Sequence, residues 1–168
     1  MSYPEREFES ALEAVYPALV RSASVLCWSG ADIEDVVQET VLQAWRSYSS
    51  FRGRSSMLTW CYAILARVSA AANRQRLKKL PADYATGRTD QLPPVDAAVL
   101  EGELARAVID AIRALPQRQR EVVTLHFLEE LSYAEIAEAL DIAIGTVKAT
   151  IFAAKMSLRQ ALATTIPD

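Results

Sequence analysis

The sequence predicts an all-α protein made of two small helical domains joined by a flexible linker, the C-terminal one a helix-turn-helix, and three observations carry that prediction. Apolar residues return at helical spacing along most of the chain. Glycine is scarce, 5 in 168 residues, while 51% of residues are hydrophobic and 23% charged, a balance that suits packed helices better than disorder or sheets. One stretch, Pro81 to Ala97 (PADYATGRTDQLPPVDA), has three prolines, scattered charge and no period, and so reads as a connector. It divides the chain into a domain over 5–80, a linker over 81–97 and a domain over 98–163.

The first helix runs from about Glu5 to Trp28, with Phe8, Leu12, Val15, Leu19 and Val25 or Leu26 on its apolar side. Ser29-Gly30 ends it. Asp32 then caps a second helix whose apolar face is Val36, Val37, Val41, Leu42 and Trp45, leaving Glu34, Asp35, Gln38, Glu39 and Gln43 outward. SYSSFRGRSS follows as a loop of small polar residues around Phe51. The third helix, about Met57 to Leu80, turns Trp60, Ile64, Leu65 and Val68 inward and becomes basic in its later turns. After the linker, Val99 to Ala114 reads as a helix with Leu104, Val108 and Ile112 or Leu115 on one side. Pro116 opens the next, to about Leu128, because proline fits a first helical position whose N–H has no partner. That helix buries some combination of Val122, Val123, Leu125 and Phe127.

The C-terminal segment is the most specific local signal. Ser132 and Glu135 form a capping box that starts a short helix. Ile136, Ala137 and Leu140 face inward there, with small Ala137 permitting a close helix crossing. After a turn at Asp141 to Ala143, Val147, Ile151 and Leu158 form the buried side of a longer helix. Thr146, Lys148, Ala149, Phe152 and Lys155 are left outward or sideways, the positions from which a recognition helix reaches the major groove.

Charge is segregated along the chain. Residues 1–45 hold eight acids against Arg6 and Arg21, whereas 46–82 hold eight bases and no acid. A second acid-free basic stretch follows Asp141, with Lys148, Lys155 and Arg159. The net charge of -3 argues against a free-standing nonspecific DNA binder, so two local basic surfaces carry the nucleic-acid reading. Fully drawn out, the connector reaches about 60 Å, comparable to about 17 base pairs. The two basic modules are thus expected on DNA elements more than a helical turn apart.

Other classes have less support. No apolar run approaches the roughly 20 residues that cross a bilayer, and the N-terminus is acidic and polar, which predicts a cytoplasmic protein without membrane insertion. Cys27 and Cys61 lie in no CxxC or Cys/His cluster and are expected as buried apolar residues. No phosphate-binding glycine loop or nucleophile–base pair appears, so no enzyme activity, metal or cofactor is expected. His126 reads as structural.

The motif set resembles a known family. Leu115-Pro116, Arg118-Gln119-Arg120-Glu121-Val122, Leu131-Ser132-Tyr133, Glu135-Ile136-Ala137 and Gly145-Thr146-Val147-Lys148 resemble promoter-binding region four of bacterial sigma factors. Asp32, Glu34 to Thr40, Ala44-Trp45, Phe51-Arg52-Gly53, Ser55-Ser56 and Thr59-Trp60 resemble region two of the extracytoplasmic-function (ECF) branch. The resemblance covers about residues 8–162. It implies a transcription initiation factor that binds core RNA polymerase through its β and β′ subunits, recognises minus-10 and minus-35 promoter DNA and assists strand opening. An anti-sigma factor is a further implied partner.

By this resemblance, Asp32, Glu34, Asp35, Gln38, Glu39 and Leu42 are the polymerase-binding candidates. Ser49, Phe51, Arg52, Arg54, Ser55, Thr59, Trp60, Arg67 and Arg74 are the minus-10 candidates, although Trp60 fits a core position equally well. Arg118, Ser132, Thr146, Lys148, Ala149, Phe152 and Lys155 are the minus-35 candidates. The chain departs from the family pattern where Ala143 holds a capping position, where Ala149, Thr150 and Ala153 replace Ser, Arg and Arg, and where Ala63 and Ala66 replace arginines. Two rival readings remain: a helix-turn-helix regulator of operator DNA, and a degenerate sigma-like protein that holds a partner without reading promoters.

Overall fold

A computed structural model of the chain describes residues 3–79 and 102–165, so the expected linker and the first residues of the expected fourth helix lie outside the described part. Every regular element described is helical: α1 (Tyr3–Leu26), α2 (Ile33–Ser47), α3 (Met57–Lys79), α4 (Glu103–Arg113), α5 (Gln117–Val123), α6 (Tyr133–Leu140) and α7 (Ile144–Thr165). None of these helices is long and apolar enough to cross a membrane.

In the N-terminal half α1, α2 and α3 pack mutually, closing over Phe8, Val15, Leu19, Leu26, Val36, Val37, Cys61, Ile64 and Leu65. Both cysteines are buried and unbonded, and burial pushes each thiol up to about 12. Buried Asn73 of α3 closes the end of α1: its amide nitrogen donates to the Leu26 carbonyl at 2.9 Å and its oxygen accepts from the Trp28 N–H at 3.1 Å. That pairing satisfies backbone groups a helix terminus would otherwise leave orphaned.

The start of α2 differs from expectation. Asp32 makes no side-chain cap; a short turn, Gly30–Asp32, precedes the helix, and Ser29 caps that turn by accepting from the Ala31 N–H. The Asp32 carboxylate instead pairs with Arg76 of α3 at 3.1 Å. The buried face is also rotated from the expected one, with Val36, Val37, Thr40 and Ala44 inward and Leu42 and Trp45 about 40% exposed. Small Thr40 and Ala44 let α2 approach its neighbours closely, and the large apolar side chains are displaced to the rim.

The C-terminal half shows two further corrections. Leu104 is 61% exposed, and the inward side of α4 is Ile109 and Ile112, continued by Leu115. Pro116 precedes α5 rather than opening it, since its ψ of 144° is extended. The helix continues past Val123 as a π-helical turn over Thr124–Leu128, a widening that sequence periodicity does not encode. Leu125 stays buried while Phe127 emerges into solvent. The helix-turn-helix forms as expected: the Ser132–Glu135 capping box is complete, and Asp141 ends α6 in the left-handed region at φ 52°.

The two halves do not stand apart. One hydrophobic cluster joins Leu19 and Leu65 to Val122, Leu125, Leu131 and Ile136, and a second joins Val25 to Ile109, Ile112, Val123 and Ala154. Polar contacts cross the same boundary. Glu129, whose side chain is 1% exposed, accepts two hydrogen bonds from the Arg21 guanidinium, at 2.5 and 3.1 Å, and one from the Ser22 hydroxyl at 2.8 Å. Arg113 donates to the Cys27 carbonyl at 3.0 Å, and the Arg120 guanidinium lies 5.4 Å from the centre of the Trp28 ring. Both arginines are almost fully buried, and burial drives the Arg120 guanidinium down to about 10.

Candidate nucleic-acid interface

The α2 candidates divide between two grooves. Gln38 and Leu42 face α1, where Phe8, Leu12, Tyr16, Val41 and Trp45 complete an open, largely apolar groove edged by Glu9. Asp32, Asp35 and Glu39 face α3, in a groove that also holds Arg67, Arg76 and Lys79. Glu34, Asp35 and Gln38 are exposed, and Gln38 donates to Glu34 one turn away at 3.0 Å. A helix with an apolar edge and an acidic face can dock on a protein surface carrying apolar and basic groups.

The loop after α2 stands on a run of aromatic rings. Phe8 lies 5.1 Å from both Trp45 and Tyr48, Tyr48 stacks on Phe51 at 6.2 Å, and Phe51 meets Trp60 at 4.9 Å. Phe51 and Trp60 are therefore half-buried in mutual contact, while Ser49, Arg52 and Arg54 are exposed and Ser55 is half-buried. Gly53 turns the loop between the two arginines at φ 65°, a conformation that costs other residues strain.

Thr59 lies apart from the exposed candidates. It is 1% exposed, and its hydroxyl meets that of Ser56 at 2.9 Å. Ser56 also accepts from the Thr59 N–H at 3.0 Å, which makes it the cap of α3. The sequence signal for that cap was a serine three residues before a threonine at the head of an apolar run. Arg67 and Arg74 project from α3 into a cleft between the halves, lined also by Arg118, Glu121, Glu138 and Asp141. Two minus-10 candidates and one minus-35 candidate thus share one cleft.

Arg118 is tied to Glu121 at 3.1 Å, and Gln117 donates to the same carboxylate at 2.9 Å. Burial raises the Glu121 carboxyl above its ordinary range despite these partners. Ser132 is committed to its cap: its hydroxyl donates to Glu135 at 2.7 Å and accepts from the Glu135 N–H. These bonds hold the Glu135 carboxyl below its usual range. On α7, Val147, Ile151 and Ala154 are buried, while Thr146, Lys148, Ala149, Phe152 and Lys155 are all exposed. Lys155 places its ammonium 5.5 Å from the ring centre of Phe127. His126 bonds the Leu131 carbonyl through Nδ1 at 3.0 Å, so that nitrogen carries the proton, and its ring packs on Phe127 and Tyr133.

Two family models match the chain in order: Sigma-70 region 2 over residues 11–77 and Sigma-70, region 4 over residues 105–158. The ECF RNA polymerase sigma-E factor of Haemophilus influenzae is 38% identical over 136 residues, 74% of this chain and 71% of that protein. The Escherichia coli K12 protein of the same name is 34% identical over 137 residues, 76% of this chain and 72% of its own. Among solved structures, the sigma factor RpoE in complex with the anti-sigma factor NepR from Bartonella quintana matches with a TM-score of 0.75 at 27% identity, covering 94% of this chain and 97% of that one. CnrH in complex with the cytosolic domain of CnrY shares the fold, with a TM-score of 0.71 at 21% identity over 95% of this chain and 90% of that one. With both regions in sequence and relatives above 30% identity across most of its length, the chain belongs to the ECF branch of the sigma-70 family and is a transcription initiation factor.

Proposed function

We propose that α2 holds core RNA polymerase, that the loop over 49–56 with α3 reads and opens the minus-10 element, and that α7 enters the minus-35 major groove. The observation that carries this reading is that protein-docking and polyanion-holding side chains sit chiefly on different elements, although the acids of α2 that face α3 share a groove with Arg67, Arg76 and Lys79. Acids and exposed apolar residues gather along α2, while Arg52, Arg54, Lys148 and Lys155 are exposed on other elements. An acidic, apolar-edged docking helix, with exposed cations on other elements, lets one chain hold a protein and a polyanion together. Leu42 and Gln38 in the α1–α2 groove anchor the protein contact. Phe51, backed by Trp60, offers a ring on which an unstacked base rests while the neighbouring arginines follow phosphates. The protein acts in the cytoplasm without catalysis of its own, and an anti-sigma factor is its regulatory partner, as NepR is for the RpoE that it resembles.

Reconstituted transcription tests the assignment. Purified chain and core polymerase should initiate at defined positions on a promoter-fragment library. Glu39→Lys should reduce copurification with core polymerase while leaving the chain folded. Lys148→Ala should keep copurification, lower promoter affinity and reduce its salt dependence by about one counterion's worth of slope. Palindromic-site binding without polymerase would favour an operator-binding regulator, and polymerase binding without start-site choice would favour a degenerate interaction protein.

A further inference from the structure

The outward face of α7 is unusual for a helix that must select bases. From Ile144 to Leu158 it contains no Arg, Asn, Gln, Asp or Glu. Those are the planar side chains that read guanine, adenine and cytosine edges through paired or accepting hydrogen bonds. What the face offers instead is apolar. Phe152 is 71% exposed and Met156 53%, and Ala149 and Ala153 are exposed beside them. Lys148 and Lys155 flank this surface, Arg159 continues it one turn on, and no acid occurs between Asp141 and Asp168. Lysines bordering an apolar strip, with no opposing charge, complement a polyanion whose groove floor carries apolar groups. In duplex DNA the apolar group on the major-groove floor is the thymine C5-methyl.

We propose that Phe152, with Ala149 beside it, selects minus-35 DNA by contact with thymine methyl groups, while Lys148 and Lys155 hold the flanking phosphates. The inference rests on the promoter-reading role of α7 given above and deepens it by naming what is read. Thr146 and Lys148 remain as hydrogen-bonding groups near the start of the helix, the end at which guanine contact is expected while Lys155 is held to phosphate. Thymines cluster opposite Phe152, and their hydrogen-bonding edges contribute little to the choice.

Deoxyuridine isolates the methyl group, because it removes that group and leaves base pairing and the O4 acceptor in place. Holoenzyme assembled from the full chain and core polymerase would first select a preferred minus-35 sequence from a randomised duplex library. Each thymine would then be replaced singly by deoxyuridine. Wild-type holoenzyme should lose about fourfold in affinity for each methyl that Phe152 covers. Phe152→Ala should bind the thymine duplex more weakly and show no further loss with deoxyuridine, and Phe152→Leu should keep part of the discrimination. Equal binding of thymine and deoxyuridine duplexes by a wild-type holoenzyme that still selects a minus-35 sequence overturns the inference and leaves the promoter-reading role standing. So does a Phe152→Ala chain that retains the methyl sensitivity, or one whose defect is lost polymerase association instead. A holoenzyme that selects no minus-35 sequence removes the promoter-reading role itself, and the inference with it.

Discussion

Ser132 lies where a region-four side chain is expected to meet DNA, yet its hydroxyl is occupied twice over by Glu135. Ser132→Ala should therefore cost about 1 kcal/mol of stability through loss of the cap. The partner sets the pH dependence. The Glu135 carboxyl is held down chiefly by the Ser132 hydroxyl and N–H, so its folded value lies below its unfolded one. The stabilisation is thus complete above the unfolded carboxylate value, about 4.3, and fades as pH falls through the folded value. Urea midpoints of wild type and variant should differ most at pH 7 and less on acidification, the residual gap being the Glu135 N–H bond to the Ser132 hydroxyl; a gap independent of pH would assign the whole loss to that neutral bond and none to the ionised carboxylate. Individual residues were legible from sequence where a local rule decided them, as with this box. They were illegible where a distant partner decided, as with Asp32 drawn to Arg76 or Asn73 closing the end of α1.

Elements follow the same division. The periodicity of α2 announced a helix, but Val36, Val37, Val41, Leu42 and Trp45 span more than one stripe, and only packing chooses among them. Close approach through Thr40 and Ala44 put Leu42 and Trp45 on the rim of a groove that a partner can fill. In α5 the π-helical turn moved Phe127 out for a reason periodicity cannot show. The start of α7 was readable and is improvable. Ala143 accepts from the Thr146 and Val147 N–H groups through its carbonyl, but it has no side-chain oxygen to satisfy a further amide of the first turn. Ala143→Ser should raise stability by about 0.5–1 kcal/mol, measured by denaturant unfolding. An unchanged midpoint would mean that first-turn amides are already well served by solvent. The same substitution adds a hydroxyl near the end of the helix proposed to enter the groove, so minus-35 affinity is the second readout, expected to rise or stay level.

For the whole molecule, composition and connector suggested two small helical domains, and the described halves pack on each other through both hydrophobic clusters. Sequence could not show this, because each helix carries enough apolar surface for either arrangement. The boundary is also ionic. It buries Glu129 against Arg21 and Ser22, and sets Arg113 and Arg120 against Cys27 and Trp28. Buried charges contribute little net stability but hold a specific register, and contacts of this polarity suit surfaces that separate. Separation would favour the proposed promoter contacts, since Arg67, Arg74 and Arg118 share a cleft with Glu121, Glu138 and Asp141 in the packed form. A duplex approaching Arg67 and Arg74 in the packed form meets Glu138 and Asp141 of the other half across the cleft. Glu129→Ala should loosen the boundary by about 1–2 kcal/mol, because the Ser22 hydroxyl loses its partner while half-exposed Arg21 rehydrates. Small-angle scattering should then show a larger mean radius. Joining Ser22→Cys to Glu129→Cys with a short cleavable thiol crosslinker should do the reverse, blocking promoter-directed initiation until the link is cut. Full initiation by the crosslinked chain would establish that the packed arrangement is itself the form that works on DNA.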